Sequence, residues 1–383
     1  MLMMVPLEDG QLFAGEIRKM LDATGGVAMA RAAMDAGIEF EPGTWRSLAA
    51  LDAAGLLIPE KLGGVDVGLD VTVAVAAEIG RVLVPSPFWS SSVVSAGLLA
   101  AAATPDAEVL LPGLAAGELV VTTAFIDGAA SWSPDGAGVQ ARAENGDWVL
   151  TGTSPFVTDA ASCDVLLVPA TAGEEVAVFA VSRADMDDRL RVTPLTCLDA
   201  TRPLSQVAYH ETRARIIVSG PAAVSAIRRA TALAAVTMVA AGVGGADRCL
   251  QLTLDYARDR VQFGHAIGSY QAIKHRCADM FMRIESARSA VYHTASVLSD
   301  SATTEADVEL AARSLLAVAP DMLLRCAGDT IQMHGGIGFT WEHDAHLYFK
   351  RAQADAKLLG DAGSHRRWLA RRLGLLAEGA SCG

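Results

Sequence analysis

Two segments concentrate the residue types that could do chemistry. The first, YARDRVQFGHAIGSYQAIKHRCADM over residues 256–280, puts Arg260 where a helical pattern stops. A tight Phe263-Gly264 turn follows, and a second helix starts near Ser269. The second, DTIQMHGGIGFTWEHDAHLYFKRAQADAKLLGDAG over residues 329–363, sets Gln332, Gly335, Gly336 and Gly338 at a helix end. Taken alone, Arg260 could pair with Asp255 or Asp259, and the glycines could simply terminate a helix. A third glycine group, Gly242, Gly244 and Gly245 in AGVGGAD, imitates a dinucleotide fingerprint. No strand precedes it and it lies inside an Ala-rich helical run, which points to close helix packing instead. The six cysteines (Cys163, Cys197, Cys249, Cys277, Cys326 and Cys382) are scattered singly, without a Cys-x-x-Cys pair. With His265, His275, His334, His343 and His346 forming no ligand set either, no metal site is expected.

Composition limits what must position these residues. The 383-residue chain carries a formal charge of −13 and is 51% hydrophobic and 20% charged, which supports a buried core and argues against disorder or a nucleic-acid module. Single cysteines suggest free thiols in a reducing cytosol. The start, MLMMVPLEDGQLF, does not read as a signal peptide, and the weakly apolar run Ala230 to Ala246 reads as a buried helix rather than a membrane span. A cytoplasmic protein without membrane insertion is expected.

Three zones follow along the chain. Residues 1–115 hold short helical patterns such as Trp45, Leu48, Leu51 and Leu56, broken at Pro42-Gly43, Pro59, Gly63-Gly64 and Pro85-Ser86-Pro87. Residues 116–220 supply Val-rich, alternating runs, with Asn145-Gly146 as a two-residue hairpin signal, and predict a small antiparallel β domain. From Pro221, which suits a first helical turn, residues 221–383 return to helical periodicity. One stripe runs Ile273, Cys277, Met280, Phe281, Ile284, Ala287 and Val291. The next runs Val308, Ala311, Leu315, Val318, Met322 and Cys326, with a kink expected at Pro320. Long helices joined by short loops pack most simply as an antiparallel bundle. The predicted architecture is α+β and multidomain: helical, then β, then a four-helix bundle.

Residues 256–280 and 329–351 closely resemble the acyl-CoA dehydrogenase family, and LIPEKLGGVDVGL, AAEIGR and GDWVLTGTSPFVTDAASCDVLLVPA extend the resemblance over nearly the whole chain. It is also similar to the actinobacterial branch in which different members pair as heteromers. The resemblance implies FAD as cofactor, an acyl-CoA thioester of fatty-acid or sterol type as substrate, and an electron-transfer flavoprotein as electron acceptor. It also implies a homo- or hetero-oligomer, at least a dimer and most simply a tetramer. It places Arg260 and Phe263 against a flavin dinucleotide across a subunit boundary, where a guanidinium can hold a pyrophosphate through paired hydrogen bonds. Gln332, Gly335 and Gly336 match the stretch that lets backbone approach a neighbouring protomer's cofactor. Phe156, Val157 and Thr158 fall where the family flanks the isoalloxazine ring. Thr122 matches a Thr at the flavin edge, although the Glu-Pro and Gly-Ser-Asp usual after it are replaced by Thr123, Ala124, Phe125 and Ile126.

The catalytic base is the largest departure. The family abstracts the α-proton with a Glu, and alignment from Arg351 puts Gly360 there; a second family location falls on Ala234 or Ala235. Asp361 is the nearest substitute, with His365 another candidate, and geometry has to decide. The run Arg366, Arg367, Arg371 and Arg372 reads as a solvated helix face, or as a contact for a CoA phosphate or an acidic partner. Three functions stay open: an acyl-CoA dehydrogenase or its subunit, a non-catalytic assembly subunit, or another flavin oxidase or monooxygenase on this fold.

Overall fold

The computed structural model describes residues 8–127, 138–144, 146–185 and 188–376. Asn145 and Cys382 lie outside them, as do Met1, Met3 and Met4.

The N-terminal zone is built from α1 (Glu8–Ala23), α2 (Val27–Ala36), α3 (Pro42–Ala49), α4 (Leu69–Arg81), a π-helical segment (Phe88–Ser95), α5 (Ala96–Ala102), α6 (Pro105–Glu108) and α7 (Leu111–Ala115). Their breaks follow local chemistry. Glu41 caps α3 through the Gly43 and Thr44 amides, and Thr104 caps α6 with Pro105 at its first turn, where a missing N–H costs nothing.

Seven strands follow: β1 (Val121–Thr123), β2 (Val139–Glu144), β3 (Asp147–Thr158), β4 (Val165–Ala172), β5 (Glu175–Ser182), β6 (Leu190–Pro194) and β7 (Leu204–Ser219). β2 and β3 pair antiparallel with Glu144 opposite Asp147. Most pairings are antiparallel, but β1 and β2 each pair parallel with β4. Because β4 also pairs with β5, the order β4-β2-β3-β7-β5 closes on itself. Alternation reports which face a residue takes and says nothing of such closure, which removes exposed edges.

The bundle consists of α8 (Gly220–Asp259), α9 (Gln271–Ser299), α10 (Glu305–Leu316), α11 (Ala319–His334) and α12 (Ala345–Leu358), followed by α13 (Ala362–Arg372). α8 alone is long and apolar enough to cross a membrane among the described residues, but its apolar window is 89% buried, as a core helix requires. The glycine group in α8 serves close packing: a Cβ on Gly244 would overlap the Ala77 carbonyl of α4, and one on Gly80 the Ala241 carbonyl of α8. The single kinked helix expected through Pro320 is instead two, α10 and α11. They are separated at Val318, whose φ of −130° leaves the helix before Pro320 opens the next one.

Candidate functional site

One group of singled-out residues sits at an outward end of the bundle. α8 stops at Asp259, and Arg260 continues in an extended conformation into a small hairpin of β8 (Val261–Gln262) and β9 (His265–Ala266). Phe263 (φ +52°) and Gly264 (φ +81°) make its turn, and the Phe263 ring is 92% exposed. At the same end α11 stops at His334. Gly335 then takes φ +62°, ψ −139°, a conformation that only glycine holds without strain. The two ends are tied together: the Tyr256 and His334 rings lie 4.6 Å apart and the Thr253 hydroxyl reaches the Thr330 hydroxyl at 3.3 Å. Arg260, Phe263, Gln332, Gly335 and Gly336 therefore share one exposed region.

Two features of this region point outward. Arg258, not Arg260, takes Asp255 at 3.2 Å, and among the described residues Arg260 has no ion-pair partner. A Cβ on Gly335 or Gly336 would meet nothing within 4 Å, and Val261, Ile337, Phe339 and Trp341 are exposed around them. An unpaired guanidinium, exposed aromatic rings and uncrowded glycine backbone suit a planar, phosphate-bearing group approaching from outside the chain.

The second group lies elsewhere. Thr122 is fully buried and its hydroxyl donates to the Thr158 carbonyl at 2.8 Å, while Phe156 bridges to Ile126. Thr158 and Asp159 line a cavity of about 40 Å³ where three zones meet: Phe88 and Trp89 from the helical zone, Thr201 and Arg202 from the β domain, Thr237, Ala241 and Arg351 from the bundle. From Thr237 to the end of α8 is roughly 33 Å at 1.5 Å per residue. The structure thus does not bring Thr122, Phe156 and Thr158 together with Arg260 and Gln332 inside one chain.

Each aligned base position has been filled. Gly360 has φ +95°, and a Cβ there would stand 2.9 Å from His365 Nε2 and 3.2 Å from Ser364 Oγ. His365 is only 1% exposed, with Nε2 2.9 Å from the Leu359 carbonyl, and burial holds its pKa below the usual imidazole range. Asp361 caps α13 by accepting the Ser364 amide at 2.7 Å, which holds its carboxyl below the ordinary range, and Lys357 stands 3.7 Å away. On α8 both Ala234 and Ala235 are buried, and the Trp89 indole N–H donates to the Ala234 carbonyl at 3.1 Å. Of the terminal arginines, Arg366 is tied to Asp321 at 2.7 Å and to the Ala317 carbonyl at 2.9 Å.

Sequence reasoning passed over the most heavily buried charges. Arg351 of α12 bonds Asp199, and its guanidinium also donates to the Thr201 hydroxyl at 2.5 Å; Arg202 bonds Asp355 of α12. These four charges pin the connection between β6 and β7 to the bundle. Burial alone would raise the Asp199 carboxyl, but Arg351 and Arg202 together hold it below the ordinary range. Asp159, at φ +54°, is fully buried, accepts the Ser90 hydroxyl at 2.5 Å and is pushed up to about 7 by burial, which outweighs the opposing pull of the Arg202 charge. In sequence these residues stand apart and none carries a periodic or spacing signal.

The N-terminal domain model of acyl-CoA dehydrogenases matches residues 8–118 and the C-terminal domain model residues 224–374. The chain belongs to the acyl-CoA dehydrogenase family. Members of this family are FAD-dependent oxidoreductases acting on acyl-CoA. Among acyl-CoA dehydrogenases, IpdE2 of Mycobacterium tuberculosis is 36% identical over 357 residues, covering 93% of this chain and 94% of that protein. FadE34 of the same organism is 33% identical over 93% of this chain, yet the match spans only 46% of that longer acyl-CoA dehydrogenase. The solved ChsE4-ChsE5 complex from Mycobacterium tuberculosis holds a chain that superposes with a TM-score of 0.83 at 26% identity, covering 97% of this chain and 99% of its own.

Proposed function

We propose that this chain is the subunit of a heteromeric acyl-CoA dehydrogenase that completes the FAD site of a catalytic partner and performs no proton abstraction itself. The observation that carries this reading is the Gly360–His365 contact. Where the family's carboxylate aligns, the backbone has positive φ and a buried imidazole fills the space a side chain would need. Asp361 then acts as a helix cap: its carboxylate is committed to the α13 amide, which holds it below the ordinary carboxylate range. At the second location Ala234 and Ala235 are both fully buried, and the Trp89 indole N–H donates to the Ala234 carbonyl.

The residues at the bundle end fit FAD. Arg260 offers an uncompensated guanidinium to a pyrophosphate, Phe263 an exposed ring to a planar face, and Gln332 a carboxamide that both donates and accepts. Gly335 and Gly336 leave backbone open to close approach. Bound FAD supplies the hydride acceptor for α,β-dehydrogenation of an acyl-CoA, with an electron-transfer flavoprotein as the subsequent acceptor. This chain's share is to bind, orient and exclude water. The partner's carboxylate removes the proton. The relatedness to ChsE4-ChsE5, a complex of two different chains, and the match to part of the longer FadE34 support a two-chain assembly.

The test is expression alone and with a carboxylate-bearing family member. The expected result is flavin absorbance only in the mixed complex, at one FAD per two chains, reduced there by acyl-CoA. Arg260→Ala should cut flavin retention in that complex at least tenfold. Full flavin occupancy of this chain alone, bleached on adding acyl-CoA, would overturn the reading.

A further inference from the structure

The three-zone junction carries a feature of its own, separate from the Gly360–His365 contact. The segment Phe88–Ser95 adopts a π-helical turn, a register rare enough to mark local specialisation, and it aims Trp89 across the junction. The indole N–H is held by the Ala234 carbonyl of α8 at 3.1 Å, and its ring lies 6.2 Å from that of Phe125 in the β domain. The Arg202 guanidinium stands 5.4 Å over the same ring and is itself fastened to Asp355 of α12. The rest of the segment is sewn to the β domain: Ser90 to Asp159 at 2.5 Å, Ser91 to the Val121 amide at 3.1 Å, Ser95 to Thr123 at 2.8 Å. One half-buried indole thus touches all three zones, and only about 40 Å³ of cavity is left beside it. Small-molecule sites ordinarily offer about 300–1,000 Å³.

We propose that Trp89, clamped by Arg202, is a built-in plug: it occupies the chain's own ligand cavity, so that this protomer admits no acyl thioester and the assembly binds one per pair of chains. The plug extends the reading of a non-catalytic subunit, which rests on Gly360 and His365, to substrate exclusion at a different place. A site that had merely lost its base would remain open. This one is closed by an aromatic side chain held on three sides.

Trp89→Ala removes the plug, and indole is the probe for the space it leaves. In the complex with the partner subunit, Tm of the Trp89→Ala variant is expected to fall and to be restored in part by saturating indole, while the wild-type complex shows no indole-dependent shift. Trp89→Leu, which keeps apolar volume while opening a flat gap, serves where the alanine variant does not fold and should show the same response at smaller amplitude. Flavin content should stay at the wild-type level in every folded variant. Two results overturn the plug: an equal indole shift in the wild type, which means the cavity was open, or a folded variant without any shift, which means Trp89 closed nothing. Failure of the flavin-lending reading shows separately, as unchanged flavin in Arg260→Ala, and leaves the indole response intact.

Discussion

The outward end of the bundle and the three-zone junction are built on opposite principles. Among the described residues the two buried guanidiniums of the junction have carboxylate partners inside the chain, Arg351 with Asp199 and Arg202 with Asp355, and the Asp159 carboxyl takes the Ser90 hydroxyl, while Glu39 Oε2, Ser86 Oγ and Asp355 Oδ2 are left without a hydrogen-bond partner. At the bundle end Arg260 has no such partner among the described residues, Phe263 is almost wholly exposed, and two glycines border open space. A region whose charges are neutralised by its own residues contributes to folding, whereas an exposed region of unpaired charge and apolar surface is completed by something else. The contrast teaches how one fold can keep a cofactor contact while giving up a reaction centre.

The sharpest way to break the contrast is to unbalance the junction. Asp199→Asn leaves the Arg351 charge buried without its carboxylate and should cost about 3–5 kcal/mol of unfolding free energy in urea titration. Replacing Asp199 by Leu together with Arg351 by Met should cost far less, since both charges leave together. Equal losses in the two variants would mean the network stabilises by packing and not by pairing.

A pH series comes next. Asp159 has its pKa raised to about 7 by burial, beside Ser90, Glu39 and Arg202, against 3.8 for an unperturbed carboxyl. The folded state therefore holds a proton that the unfolded state has released. Stability from this group is intact below about pH 4 and declines as pH rises through 7, by at most about 4 kcal/mol. Asp159→Asn should flatten that slope between pH 4 and 7 in Tm measurements; an unaltered slope would assign it to other groups.

The glycine pair distinguishes the two ends of the comparison most finely. Gly335→Ala forces a side chain into a backbone conformation suited only to glycine and should cost about 1–3 kcal/mol even in the isolated chain. Gly336 has negative φ and no neighbour for a Cβ, so Gly336→Ala should leave the isolated chain's Tm unchanged and yet lower flavin retention in the mixed complex. Full retention would show that the open space faces nothing.

Much of the fold was legible because its signals are local. The strand runs, Pro221 at the start of α8 and the α9 stripe each depend on residues within a few positions of one another, although of that stripe Met280, Ile284, Ala287 and Val291 are buried and Phe281 is exposed. The parallel pairings with β4 and the break at Val318 were not legible, because strand closure and a helix interruption are settled by what packs alongside. The bundle-end residues announced themselves through motif spacing in two short segments. Asp159, Asp199, Arg202 and Asp355 did not: a buried charge looks like any surface charge until its partner, about 150 residues away for Arg351, is brought to it.

By itself the sequence determined the order of the three zones, the presence of Arg260, Phe263 and the Gln332–Gly336 stretch, and the absence of a carboxylate at positions 234, 235 and 360. Only the tertiary structure decided what surrounds these positions: the His365 ring at Gly360, and buried packing at Ala234 and Ala235, with the Trp89 indole N–H on the Ala234 carbonyl. The reason is steric. Which side chain fills a space depends on elements far apart in the chain converging on it, and no local pattern of residues encodes the volume left between them.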